Sequence, residues 1–328
     1  MSRLPETTIF QVVVNARGQQ SIWRDDRSTK LPVGWSFTSF KGSKDACLQH
    51  IAANTPATEP APATPTPPPA TATRPAVPTT EPRRVTALPF PQPSATMRLF
   101  VFPHAGSGAS YYHFLCRALR ADPIEAHIIQ YPGREMRMRE RPLDRMEAMV
   151  DLLAHELPPL LEEKPYAFFG HSMGSLTAFE LTRRLVQLGL RLPRHLFLSG
   201  RQAAHLPGHV LHVDRLNDTE FLDAVGRRYN ALPPELLAHR EILELILPSL
   251  RADFTLMERY IYRAAPILDI DATLLNGRDD PWVNPPSLAA WQQHFARPIR
   301  QHLFPGGHFY LPEVAQELRS LALATLMR

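Results

Sequence analysis

Cysteine is nearly absent. Cys47 and Cys116 are the only two in 328 residues, which leaves no disulfide framework and fits a reducing compartment. No run approaches 18 apolar residues and no apolar leader opens the chain, so a cytoplasmic protein that does not engage a membrane is expected. Charge of one sign is also lacking. The formal net charge is only +4, and no basic stripe with interleaved aromatics occurs, so nucleic acid is not an expected partner. The 15 glycines never take the Gly-x-Gly-x-x-Gly spacing of a dinucleotide loop.

Proline is abundant and unevenly spread. Of 34 prolines, 13 fall between Thr55 and Pro93, in a stretch dominated by Pro, Ala and Thr with no apolar periodicity. Such a sequence cannot bury enough surface to offset its chain entropy and favours extended polyproline conformations. Residues 54–96 are therefore expected to form a flexible linker. Fully extended, about 40 residues at ~3.1 Å each would reach on the order of 120 Å. The chain divides into a small domain at 1–53, the linker, and a large domain at 97–328 long enough for a sizeable sheet core.

In the large domain, Tyr166-Ala-Phe-Phe-Gly170-His171-Ser172-Met173-Gly174 sets a serine between two glycines where an apolar strand pattern yields to a helical one. Ala178, Leu181, Leu185 and Leu188 recur at helical spacing beyond it. A chance Gly-x-Ser-x-Gly in a loop would lack the flanking strand and helix. The pattern is that of a nucleophile elbow on an α/β-hydrolase fold, with Ser172 as nucleophile. Its partners should follow in the order acid, then histidine. Ala272 to Gly277 reads as a buried strand followed by Arg278-Asp279-Asp280-Pro281. Asp280, three residues past Gly277, is the first choice of acid, and Asp279 is the alternative. Ile299 to Phe304 reads as a further strand, ended by Pro305-Gly-Gly-His308, and His308 is the expected base. His171 should point away from the hydroxyl in a supporting role.

An oxyanion hole needs the N–H after the nucleophile, here Met173, and a second from the loop after an early strand. Met97 to Phe102 is that strand, and Ala105 in the loop Pro103-His-Ala-Gly-Ser-Gly108 is the expected second donor. Between Arg201 and the acid's strand, Thr219–Tyr229, Pro234–Leu247 and Leu250–Tyr262 read as leucine-rich helices. Residues from about 205 to 262 are read as a lid over an acyl chain, the alternative being ordinary core packing. The run Arg134-Glu-Met-Arg-Met-Arg-Glu-Arg141 interleaves both signs, as a solvated face does.

The large domain resembles the type II thioesterases that accompany nonribosomal peptide and polyketide synthases. The likeness is carried, in order, by Phe102-Pro-His-Ala-Gly106, Tyr131-Pro-Gly-Arg-Glu135, the serine elbow, Ser199-Gly-Arg201, Leu247-Pro-Ser-Leu-Arg-Ala-Asp-Phe254 and Gly306-Gly-His-Phe309. Ser107 departs from it, standing where the family usually has a second glycine. The resemblance implies a thioesterase acting on acyl groups carried by the phosphopantetheine arm of carrier proteins. It would clear stalled or mis-primed groups in secondary metabolism, such as antibiotic or siderophore biosynthesis. No metal or cofactor of the enzyme's own is expected.

Ahead of the linker, Ile9 to Val14 and Gln19 to Arg24 read as strands paired across the turn Asn15-Ala-Arg-Gly18, and Ser43 to Ala52 reads as a helix. Asn15-Ala-Arg-Gly-Gln-Gln-Ser-Ile-Trp23 and Leu31-Pro-Val-Gly-Trp35 resemble the MbtH-like proteins, a small α+β family with a three-stranded antiparallel sheet and a helix. That resemblance implies binding to, and activation of, an adenylation domain through Ser21, Ile22, Trp23 and Trp35. Two departures stand out. Arg24 replaces a usual proline, and no tryptophan follows the last helix. Two other functions compete with a fused pair of synthase helpers: a general serine esterase or lipase, and a mainly non-catalytic adenylation-domain partner.

Overall fold

The computed structural model describes residues 9–15, 20–24, 35–54, 85–208, 210–229 and 240–328. The chain forms two compact units, Met1–Ala76 and Val77–Arg328.

In the first unit, β1 (Phe10–Asn15) lies between β2 (Gln20–Arg24) and β3 (Trp35–Gly42) in an antiparallel sheet, followed by α1 (Lys44–Asn54). Among the described residues, Val12, Val13 and Cys47 are buried and apolar, and the Cys47 thiol donates to the Phe10 carbonyl, fastening helix to sheet. Ser43 caps α1 by accepting the N–H of Ala46 at 3.2 Å. The expected strands and helix are present within a residue or two at each end, with the third strand supplied by Trp35–Gly42. In the backbone register Trp23 stands opposite Gln11 and Trp35 opposite Asn15. The side chains of Ser21, Ile22, Trp23 and Trp35 lie outside the described part, as do residues 55–84 of the expected linker.

The second unit is built on a seven-stranded sheet of order β10-β9-β8-β7-β5-β6-β4. Its strands are β4 (Thr86–Ala87), β5 (Met97–Phe102), β6 (Ile124–Ile129), β7 (Tyr166–His171), β8 (His195–Ser199), β9 (Asp271–Gly277) and β10 (Arg300–Phe304). All neighbours pair in parallel except β4, which runs antiparallel to β6. β5, β6 and β7 are buried at every position, as strands covered on both faces must be. The period of two divides their side chains between two cores. Phe100, Phe102, Tyr166 and Phe168 enter one, and Leu99, Val101, Ala167 and Phe169 the other.

Helices α2 (His113–Leu119), α3 (Met146–Glu156), α4 (Pro158–Glu163) and α5 (Met173–Gln187) follow in chain order. Beyond them come α6 (Asp218–Tyr229), α7 (Arg240–Glu258), α8 (Pro285–Ala289) and α9 (Ala315–Leu326). The Phe100 core is closed by α3, α4, α5 and α8, and the Leu99 core by α2 and α9. A third, smaller core joins Phe221 and Val225 of α6 to Leu250 and Phe254 of α7, with Ala105 against it. The insertion thus has a core of its own. The expected break near Leu247 is absent, because α7 runs through Pro248 and gives up only the bond its missing N–H would make. Residues 230–239, which include the first six of the second expected helix, lie outside the described residues.

One boundary needs correction. Residues 85–96, assigned to the linker from composition, fold onto the sheet. Val85 is buried, its carbonyl accepts the N–H of Gln130 at 2.9 Å, and β4 covers the edge of β6. Gln92 then takes part in three further bonds, to Glu125, Leu119 and Ile124. A shortened chain beginning at Val85 should be more stable than one beginning at Met97 by about 2–3 kcal/mol, from one buried valine side chain and a few net hydrogen bonds. Equal urea midpoints for the two would contradict this.

Candidate active site

Every sequence-predicted catalytic residue of the large unit follows the carboxyl end of a strand: Ala105 after β5, Ser172 after β7, Asp280 after β9 and His308 after β10. Parallel strands bring those ends to one edge, where α/β sheets bind their ligands. Ser172 joins β7 directly to α5 with φ 54° and ψ −114°, a conformation that costs a non-glycine residue on the order of 1–3 kcal/mol. It persists because its surroundings leave no room to relax. A Cβ at Gly170 would lie 2.3 Å from the Gly174 carbonyl oxygen, and one at Gly174 would lie 1.9 Å from that of Phe102. Strand, helix and neighbouring strand therefore meet at backbone contact. Ser175 then ties the turn to β8: its hydroxyl lies 2.8 Å from the Gly170 carbonyl and 2.7 Å from that of Ser199, while Ser172 N–H donates to Ser199 at 2.8 Å.

The imidazole of His308 meets Asp280 through Nδ1 and Oδ2 at 2.8 Å, and Oδ1 of the same carboxylate accepts the Trp282 N–H at 2.9 Å. Asp280 is buried, whereas Asp279 is exposed and uses its N–H on the Gly306 carbonyl. Ser172 and His308 line one cleft of about 290 Å³. Its walls include Arg201, Arg228, Phe254 and Trp282, with the Arg228 guanidinium 3.8 Å above the Trp282 ring. Met173 is the first residue of α5, so its N–H is one that the helix itself cannot satisfy.

The loop carrying Ala105 is held by residues that sequence reasoning passed over. The His104 carbonyl shares its peptide plane with the Ala105 N–H, and it accepts the Ser107 N–H at 3.2 Å and the Ser107 hydroxyl at 2.9 Å. That second bond needs the serine which replaces the usual glycine. The His104 ring meets Tyr112 Oη at 2.8 Å. The run 134–141, expected to be a solvated face, is partly interior: Arg134 and Arg137 are 8% and 3% exposed. Both guanidiniums are paired, Arg134 with Asp253 of α7 and Arg137 with Glu140 and Glu156, which lets cations leave water. Mixed charges gave no hint of this, since the partner of Arg134 lies 119 residues away.

Burial also sets the charge state of the histidines. It pushes His104 down to about 3, helped by the positive charges of His308 and Arg134, and holds His171 well below the usual imidazole range. His171, which keeps Nδ1 on the Ser199 hydroxyl at 2.9 Å, is thus a neutral support behind the elbow. Burial lowers His195 and His294 to about 4 each. Among the described residues no helix is long and apolar enough to cross a membrane, and no group of three or more His, Cys, Asp or Glu is placed to hold a metal ion.

Compared with known proteins, residues 97–323 match the family model for thioesterase domains and residues 4–65 that for MbtH-like proteins. Linear gramicidin dehydrogenase LgrE of Brevibacillus parabrevis is 38% identical over 238 residues, 71% of this chain and 88% of that protein. Thioesterase PikA5 of Streptomyces venezuelae is 35% identical over 229 residues, 70% of this chain and 80% of its own. Among solved structures, the type II thioesterase BorB from the borrelidin biosynthetic cluster superposes with a TM-score of 0.64. It is 34% identical, over 72% of this chain and 94% of its own.

The depressed imidazoles of His104, His171, His195 and His294 fix a pH dependence of stability. In the unfolded chain they take up protons near pH 6.5, and in the native protein they do not until well below that. Their contribution is therefore complete above the ordinary imidazole range and is lost progressively as pH falls through it toward the lowered native values. Melting temperatures should drop steadily from pH 7 to 5, less so in His195→Gln; a flat profile would refute the assignment.

Proposed function

The chain belongs to the thioesterase family and carries an MbtH-like domain at its N-terminal end, and on that premise we propose that Ser172, His308 and Asp280 act as a triad releasing acyl groups from carrier proteins of nonribosomal peptide or polyketide synthesis. The observation carrying this reading is that His308, bonded to Asp280, lines the same cleft as a serine strained on its elbow. With Nδ1 bonded to Asp280, Nε2 is the nitrogen that takes the proton of the Ser172 hydroxyl. As Oγ attacks the thioester carbonyl carbon, its proton passes to His308. The N–H groups of Met173 and Ala105 stabilise the oxyanion, each worth roughly 10²–10³ in rate. The carbon–sulfur bond then breaks, and the pantetheine thiol leaves with the proton from His308. Water, deprotonated by the same imidazole, attacks the acyl-serine and frees the carboxylic acid.

The dehydrogenase in one relative's name belongs to that relative. In this chain the loop after β5 lacks the glycine spacing that cradles dinucleotide phosphates. BorB and PikA5, both named as thioesterases, support thioester cleavage, and the MbtH-like match supports a second task, engagement of an adenylation domain through Ser21, Ile22, Trp23 and Trp35. Both tasks belong to one assembly line. Holding them in one chain raises the local concentration of each at that line.

Offered acyl-loaded carrier protein, the wild type should hydrolyse the thioester and Ser172→Ala should not. Asp280→Asn should lose on the order of 10³–10⁴-fold in kcat, while Asp279→Asn stays near wild type. No difference between wild type and Ser172→Ala would remove the thioesterase reading, and a preference for free oxygen esters would point to a general esterase. For the N-terminal module, co-expression of the full chain with an adenylation domain should raise its soluble yield and adenylation rate. Trp23→Ala should diminish that gain, and a gain left intact would count against the partner assignment.

A further inference from the structure

The pair Arg134–Asp253 is buried at 8% and 0% exposure, yet neither residue lines the cleft. Asp253 projects from α7 and accepts two bonds from the guanidinium of Arg134, Nη2 to Oδ1 at 2.6 Å and Nη1 to Oδ2 at 2.7 Å. The same Oδ2 accepts the backbone N–H of Gly106 at 2.7 Å, and Arg134 Nη1 also donates to the Ser107 carbonyl at 3.1 Å. The pair therefore grips the two residues that follow Ala105. Its neighbours in sequence hold the rest of the loop. Tyr131 donates its hydroxyl to the Pro103 carbonyl at 3.3 Å, and the Glu135 carboxylate accepts the N–H groups of Ala109 and Ser110 at 2.9 and 3.0 Å. Packing adds to this, since any Cβ at Gly106, which has φ +76°, would meet Leu250 of α7 at 2.4 Å.

A buried ion pair is a weak source of stability, because desolvation offsets its attraction and apolar replacements are often neutral. Stability alone therefore does not account for it. Arg134 is held above its ordinary range because the Asp253 carboxylate outweighs the burial that opposes its charge. We infer that Asp253 and Arg134 are positioning residues that aim the Ala105 N–H at the oxyanion, and that they link the aim of that donor to the seating of helix α7 over the cleft. This rests on the triad reading given above. α7 supplies both an apolar wall of the cleft, through Phe254 and Met257, and the carboxylate that fixes the loop. Displacement of the helix removes the acceptor of the Gly106 N–H, so a full oxyanion hole exists only while the helix is seated.

The test is the double variant Arg134→Met with Asp253→Leu, which removes both charges together, assayed on a soluble acyl thioester and by affinity for an alkyl boronic acid. The boron of that probe bonds to Ser172 Oγ and presents an oxyanion-like oxygen. Expected are a melting temperature within a few degrees of wild type, a KM within about twofold, and a fall on the order of 10²-fold in kcat, as small misplacements produce. The boronate affinity should fall by the same factor. A folded double variant with wild-type kcat, or one that loses KM alone, would overturn the inference. If the double variant does not fold, Ser107→Ala removes one of the two bonds on the His104 carbonyl and should lower kcat several-fold without changing KM; an unchanged kcat would again overturn it. Amide exchange of residues 103–110 separates the two readings. Faster exchange in the variant supports the clamp even if the wild type hydrolyses no thioester, and unchanged exchange refutes it whatever the activity.

Discussion

The carboxyl edge of the parallel strands depends on a backbone that is not allowed to relax. Ser172 is pinned at φ 54° by approaches that only hydrogen side chains at Gly170 and Gly174 permit, and the strain is shared out through hydrogen bonds to the next strand. Ser175 reaches Gly170 and Ser199, Ser199 N–H returns a bond to Ser175 Oγ, and the Ser199 hydroxyl meets both His171 and Tyr310. Ser175, Ser199, Tyr310 and Nδ1 of His171 are thus linked to one another, and all four residues are buried. Such networks define a single arrangement because each partial break leaves a costly orphan. Held in this way, the serine stays on the cleft that His308 also lines.

Charge is managed by the same economy of water. The three imidazoles His104, His171 and His308 lie close together, with ring centroids 5.7 Å apart for the first pair and 5.1 Å for the second. Two cations at such spacing in a buried site would repel strongly, and the first two rings are held neutral by burial. Of the three rings, only that of His308 is bonded to a carboxylate, Asp280. Phe309 packs against all three rings.

Local signals were legible in the sequence and distant ones were not. The strand–serine–helix pattern, the double aspartate after β9 and the Gly-Gly-His after β10 are each contained within a few residues, and their places at one edge follow from parallel topology. The choice between Asp279 and Asp280 needed coordinates, because adjacent residues differ only in which way they leave the turn. Arg134 and Arg137 read as surface because interleaved charge is what a surface shows, and only pairing with distant carboxylates makes their burial tolerable. Val85, Thr86 and Ala87 gave too short an apolar signal to stand out beside prolines. The helix through Pro248 shows tertiary packing overriding a residue's own preference, as Leu250 and Phe254 bury just beyond it.

The single antiparallel strand decides at which pole of the large domain the chain arrives. Thr86 pairs with Ile129, the last residue of β6, so β4 begins at the same end of the sheet where the parallel strands deliver the serine, aspartate and histidine. Three strand spacings, about 14 Å, separate β4 from the serine's strand. Had β4 run parallel to β6, the chain would have entered at the opposite floor of the sheet. The polarity of a two-residue strand thus sets the end of the sheet at which the described part of the large unit begins.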